Sequence, residues 1–207
     1  MSAIKLYRHP LSGHSHRVEV LLSLLGRDAE IIDVDLKAGA HKLPEFLAKN
    51  SFGQVPALDD GDVTISDSNA ILVYLATKYD GARTWYPADL ADQAEVQRFL
   101  SVAAGKIAFG PASARLVNVF GAGLDHQAAI ATSHAILATL DAHLDGREWL
   151  ATSLPTIADA ANYAYIAHAP EGDVSLDEYP NVRRWIKRFE DLPGFVAFGS
   201  TPVGLNA

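Results

Sequence analysis

The sequence predicts an α+β protein of two domains: an N-terminal α/β domain on a mixed four-stranded sheet, then a C-terminal domain of helices alone. Three observations carry this. Residues 3 to 80 mix strand-like alternation with helical periodicity, residues from about 88 to 198 are helical in pattern and rich in alanine, and "KYDGARTWYPAD" between them has the glycine and proline of a connector. The boundaries drawn are 1–80 for the first domain, 81–88 for the linker and 89–207 for the second.

Each element has its own signal. "AIKLYRH" reads as a short strand, and "HSHRVEVLLSLLG" places Val18, Leu21, Leu22 and Leu25 on one helical face with Gly26 as its stop. "AEIIDVDL" alternates as a second strand, and "LPEFLAKN" is a short helix. "VPALDDGDVTISD" is a hairpin closed by Asp60-Gly61, and "SNAILVYLATKY" is the helix that ends the unit. Strand, helix, strand, helix, two strands and a helix is the order of a thioredoxin-like domain. Beyond the linker, helices are expected near 89–120, 124–144, 156–169, 179–190 and 193–198, the first interrupted or kinked by Gly110-Pro111.

Composition narrows the function classes. With 49% hydrophobic and 20% charged residues, the 207-residue chain is expected to be soluble and to build its core without staples. A formal net charge of -8 and no basic run argue against nucleic acid and anionic membranes as partners. "MSAIKLYRHP" lacks the apolar stretch of a secretion signal, so a cytoplasmic location is expected. There is no cysteine, which excludes disulfides and any mechanism using a protein thiol. Sulfur chemistry here requires a sulfur supplied by a ligand.

The stretch "SFGQVPALDDGDVTISDSNAILVYLA" carries the most chemistry. Pro56 lacks an N–H and suits a turn in the cis form, which would turn the Val55 backbone outward to pair with an extended peptide. Eleven residues later, Asp67-Ser68 opens a helix, where free N–H groups and the dipole favour a carboxylate. Ser68 adds a hydroxyl for that carboxylate and Asp67 an acceptor for an ammonium group, so the pair suits an amino-acid end. Taken singly, Pro56 is more often a turn former and Asp67 an N-cap; the combination at this spacing points to a site.

These residues are similar to the glutathione-site segment of the cytosolic glutathione S-transferase family, and the similarity extends over nearly the whole chain. "LPTIADAANY" resembles that family's capping box, with Thr156 and Asp159 at the spacing that satisfies helix N–H groups in a buried turn. The resemblance implies a homodimer that binds glutathione as cosubstrate, with no prosthetic group, and detoxifies a small hydrophobic electrophile. It implies that the cysteinyl part pairs with Val55, the γ-glutamyl end meets Asp67 and Ser68, Gln54 touches the ligand, and His41 contacts the glycine carboxylate. Ser51 stands where the motif commonly has proline, a departure expected to alter only the turn.

The group that activates the sulfur is expected on "HPLSGHSHRV", the turn from first strand to first helix, where serine- and cysteine-type members carry theirs. Ser12 is the choice, as a hydrogen-bond donor to the thiolate, with Gly13 allowing close approach and offering its N–H. Ser15 and His14 are the alternatives. Tyr7 lies in the strand pattern and suits packing, Arg17 suits a surface or dimer-contact ion pair, and His14 and His16 diverge on a helix with no third ligand nearby, so no metal site is expected. In the second domain Phe109, Arg115 and Tyr163 are the candidates for the electrophile pocket, with Tyr165 and His168 on the same helix as Tyr163. Two other readings stay open: the same thiolate directed at a hydroperoxide, and a non-catalytic glutathione-binding or scaffold module.

Overall fold

The computed structural model describes residues 4–207, and Ala3 of the expected first strand lies outside them. Strand β1 (Ile4–Arg8) runs parallel to β2 (Ala29–Asp33) and antiparallel to β3 (Ala57–Asp60), which pairs with β4 (Val63–Ser66), giving the mixed order β2-β1-β3-β4. A parallel neighbour needs a crossover, and helix α1 (Gly13–Leu24) supplies it between β1 and β2. The β3–β4 loop is Gly61-Asp62 rather than Asp60-Gly61, because Asp60 pairs with Val63 and Gly61 takes the positive φ of 66° that the tight turn requires.

Side-chain alternation along β1 divides the sheet into two faces. Leu6 is wholly buried opposite Leu58 in the core shared with α1 and with α3 (Ser68–Tyr79). Tyr7 faces the other way, onto a smaller cluster of Val34, Ala57 and Phe46 from the short helix α2 (Pro44–Leu47). Burying a leucine contributes about 1.5–3 kcal/mol, so the first face is the one that holds the domain together.

The chain then passes through residues tied down by Asp80, whose carboxylate accepts the Ala82 and Trp85 N–H groups at 3.1 and 2.7 Å. Helix α4 (Leu90–Val102) follows, then a π-helical segment (Ala103–Ala112), α5 (Ser113–Phe120), α6 (His126–His143), α7 (Ile157–Ala167) and α8 (Pro180–Glu190). Thr156 and Asp159 form the capping box of α7, whose residues are buried from Ile157 to Ile166, packed among α1, α3, α4 and the π segment. The long helix is interrupted around Gly110-Pro111, where the chain adopts a π register over Ala103–Ala112 that accommodates a proline with no N–H to give. Gly110 lets that segment approach α6 closely, since a Cβ there would lie 3.1 Å from the Ser133 nitrogen. Residues 193–198 are irregular rather than helical: Gly194 sits at φ 91°, and Phe195, Val196 and Phe198 fold back onto the core. No helix among the described residues is long and apolar enough to cross a membrane.

Candidate active site

The turn after β1 closes when the Ser12 N–H donates to the His9 carbonyl at 3.0 Å. Ser12 then becomes the N-cap of α1, its Oγ accepting the Ser15 N–H at 3.2 Å. Ser15 is turned inward, fully buried, with its Oγ taking the His9 N–H at 3.3 Å, so the alternative donor points away from the opening. Ser12 and His14 line a cavity of about 910 Å³ between the two domains, within the range of about 300–1,000 Å³ typical of small-ligand pockets.

The opposite wall comes from the segment between α2 and α3. The Val55-Pro56 peptide is cis, and His41, Gln54, Val55, Pro56, Asp67 and Ser68 all line the cavity. Asp67 caps α3, accepting the Ala70 N–H at 2.9 Å, and is exposed with a φ of 73°. Such a backbone costs a non-glycine residue about 1–3 kcal/mol and is found where a site requires it. Ser68 is buried: its Oγ accepts from Arg17 Nη1 at 3.3 Å and lies 3.4 Å from His14 Nδ1. His41 Nδ1 is buried without a partner, an unspent polar atom at the cavity edge.

The helical wall differs from the sequence expectation. Phe109 is 71% exposed and outside the cavity, because the π register rotates it away from the face that Ala108 and Ala112 present. Tyr163 is also outside; its ring packs on Phe189 and Phe195 and its hydroxyl donates to Glu190 Oε1 at 2.8 Å. Tyr165, two residues on, lines the cavity instead. Arg115 does line it, but as half of a buried ion pair with Glu171 at 2.5 Å, with Nη1 donating to the Leu11 carbonyl at 2.8 Å. Leu116 and Phe120 complete the wall; Ala108, Ala112, Leu116 and Phe120 recur every fourth residue, and that spacing is the signal in the sequence that marks this face. Gly13 is absent from the lining: its missing side chain makes room for Tyr165, whose Cζ a Cβ would meet at 2.8 Å.

Comparison with known proteins settles what this arrangement belongs to. The glutathione S-transferase N-terminal domain model matches residues 2–77, and the C-terminal domain model matches 125–193. Glutathione S-transferase 3 of Zea mays is 36% identical over 210 residues, spanning 94% of this chain and 92% of that protein. The chain belongs to the glutathione S-transferase family. Among solved structures, a possible glutathione S-transferase from Rhodopseudomonas palustris superposes with a TM-score of 0.86 at 31% identity, covering 97% of this chain and all of the other. A glutathione transferase homologue from Drosophila mojavensis, solved with bound glutathione, gives 0.86 at 30% identity over 93% and 90% of the two chains. The thioredoxin-like fold with a helical second domain is therefore that of the family.

Electrostatics of the transferase cavity are set by burial. Desolvation, aided by the Arg17 charge, pushes His14 down to about 3, and desolvation holds His16 at about 4 despite the bond of its Nε2 to the Val196 carbonyl. Both imidazoles are neutral at physiological pH. Arg17 is not a surface residue: it is 1% exposed, bonded to Ser68 and Asn69 through Nη1 alone, with Nε and Nη2 unpartnered. Burial lowers it only to about 10, so it stays charged below Ser68. Tyr7 donates to Asp59 at 2.9 Å on the far face of the sheet, outside the cavity. His168 pairs with Glu171, whose carboxyl stays below the ordinary range; burial opposes this, but bonds from His168 and the Thr201 N–H and the Arg115 charge outweigh it.

Proposed function

We propose that this transferase holds glutathione along the Val55 edge and uses Ser12 to keep its sulfur as the thiolate, which then attacks a small apolar electrophile seated against the helical wall. The observation that carries this reading is the shared cavity: Ser12 at the start of α1, Asp67 and Ser68 at the start of α3, and the apolar stripe of Ala108, Ala112, Leu116 and Phe120 all face one space. Residues 68 and 69 begin α3, and the first N–H groups of a helix have no partners within it, so they favour the γ-glutamyl carboxylate. Asp67 supplies the acceptor for the ammonium group, His41 serves the glycine carboxylate, and Gln54, beside Val55, touches the ligand; both line the cavity. Lowering a thiol from about 8.5 by two units requires about 2.7 kcal/mol of preference for the anion. A hydrogen bond to a charged sulfur contributes about 1.5–3 kcal/mol and the α1 terminus about 0.3–1, so neither a protein base nor a prosthetic group is required.

A homodimer and a cytoplasmic location belong to the same reading. Phe52, 78% exposed beside the cavity, and Leu90, 80% exposed, are apolar surface that a second copy would cover; sedimentation of the purified chain at twice its 22.2 kDa mass supports this, and a monomer refutes it. The central test is an ultraviolet titration of bound glutathione. A thiol pKa one to two units below that of free glutathione supports transferase chemistry at this site, whereas binding with an unshifted pKa leaves a binding module.

A further inference from the structure

His9 opens the turn that carries Ser12, and the fold engages only one of its two ring nitrogens. Its backbone is pinned twice: the N–H donates to Ser15 Oγ at 3.3 Å, and the carbonyl accepts the Ser12 N–H at 3.0 Å. Its Nδ1 accepts the Leu11 N–H at 3.2 Å. A backbone N–H can only donate, so Nδ1 carries no hydrogen and the neutral ring has its one N–H at Nε2. Desolvation keeps the ring neutral: it lowers the pKa below the ordinary value and outweighs the opposing Asp33 and Asp35, with the Arg8 and Arg115 charges acting in its direction. Nε2 has no protein partner among the described residues, and unlike Nδ1 of His16 and His41 it is not sealed from solvent. The ring lines the cavity and is tilted 60° against Phe120, centroid to centroid 5.8 Å. Phe120 belongs to the apolar wall assigned to the electrophile, whereas glutathione is assigned to the Val55 edge. With Nδ1 turned to the Leu11 backbone, Nε2–H is the group left for the second substrate.

The neighbouring cation does not compete for that role. Arg115 is held by Glu171 and the Leu11 carbonyl, and its remaining Nη2 is sealed from solvent. An apolar wall with one fixed, neutral donor beside it suits a molecule that is apolar except for one acceptor oxygen. We propose that His9 is a specificity-determining residue whose Nε2–H donates to the carbonyl oxygen of an α,β-unsaturated aldehyde or ketone, so that conjugated carbonyls, not alkyl halides, are the electrophiles this cavity favours. This rests on the transferase reading. In the addition, the thiol proton leaves to solvent and a sulfur lone pair forms the C–S bond at the β-carbon. The C=C π pair shifts toward the carbonyl to give an enolate, and solvent returns a proton to the α-carbon. The oxygen gains charge as sulfur adds, so a donor already fixed there binds the transition state more strongly than the ground state. Displacement at an alkyl iodide puts the charge on the departing iodide, a poor hydrogen-bond acceptor, and draws little from His9.

The test compares wild type, His9→Asn and His9→Gln by kcat/KM for a conjugated hexenal and for iodohexane, together with the pKa of bound glutathione. Asparagine puts an oxygen in place of Nδ1 and keeps the Leu11 N–H bonded as an Asx turn, but it offers no donor at the ε position; glutamine places an N–H there. The ratio of kcat/KM for hexenal to that for iodohexane is the readout, because it is independent of the fraction of each variant that is folded. His9→Asn is expected to lower this ratio about 10- to 100-fold, the worth of one hydrogen bond to a charged oxygen, and His9→Gln to recover most of it. An unchanged ratio in His9→Asn overturns the proposal, since a role in the turn alone would slow both substrates equally. A ratio in His9→Gln no higher than in His9→Asn also overturns it. Wild type that accelerates the iodohexane reaction but not the hexenal reaction overturns it too, while leaving transferase chemistry standing. An unshifted thiol pKa in wild type is the separate failure of the transferase reading, and removes this proposal with it.

Discussion

Asp159→Ala removes the most heavily used acceptor in the helical domain, and its cost follows from counting what is left behind. The carboxylate is wholly buried: Oδ1 accepts the Leu150 N–H at 3.0 Å and Trp185 Nε1–H at 2.8 Å, and Oδ2 accepts the Thr156 N–H at 2.9 Å and the Thr156 hydroxyl at 3.3 Å. Alanine strands three N–H donors, two from the backbone and one from Trp185, itself 1% exposed. Each buried donor left unmade costs about 1–3 kcal/mol, against about 1 kcal/mol for losing an ordinary exposed cap. Part is returned, since burial already pushes the Asp159 carboxyl above its usual range despite its four bonds, and that penalty disappears with the side chain. The net loss is expected at about 3–5 kcal/mol. Urea unfolding followed by tryptophan fluorescence at fixed protein concentration reads it: with a slope of about 2 kcal/mol per molar, the midpoint falls by about 1.5–2.5 M. Glutathione KM in the folded fraction should stay at the wild-type value. A loss of 1 kcal/mol or less, or normal stability with lost turnover, would refute the view that this box is a buried structural hub.

Ser12→Ala should leave glutathione KM nearly intact while the bound thiol pKa rises by about one to two units, since about 1.5–3 kcal/mol of anion stabilisation goes; turnover at neutral pH falls about tenfold or more, and raising the pH restores much of it. Asp67→Ala should raise glutathione KM about 10- to 100-fold, the worth of one charge-assisted hydrogen bond, and retention on a glutathione resin at wild-type strength would contradict the γ-glutamyl assignment. His14 and His16 are held at about 3 and about 4 in the fold but titrate near 6.5 when unfolded, so the unfolded state binds more protons below pH 6.5. Their contribution is therefore complete above pH 6.5 and declines toward pH 4 at about 1.4 kcal/mol per pH unit for each; urea midpoints at pH 7 and pH 5 check this, and His16→Gln should remove about half of the two histidines' share of the slope.

The features legible in the sequence are those that neighbours along the chain decide. The two-residue alternation in β1, the glycine that turns β3 into β4, the hydroxyl and carboxylate that open α1, α3 and α7, and the spacing from Pro56 to Asp67 are all local, because strand pleat, turn conformation and helix capping are satisfied within a few residues. Direction, by contrast, is set by packing between elements distant in sequence. Helix α7 is buried on every side, so its apolar pattern has no outward face to mark, and Tyr163 and Tyr165, two positions apart, enter the hydrophobic core and the cavity respectively. Arg17 reads as a surface charge until α3 packs over it. The register of the π segment, which turns Phe109 outward and leaves Ala108 and Ala112 facing the cavity, arises because Pro111 cannot donate and Gly110 must meet α6. A local pattern specifies which atoms are available, but the cavity forms where two domains meet, and its walls are chosen by packing between residues up to about 150 positions apart in sequence.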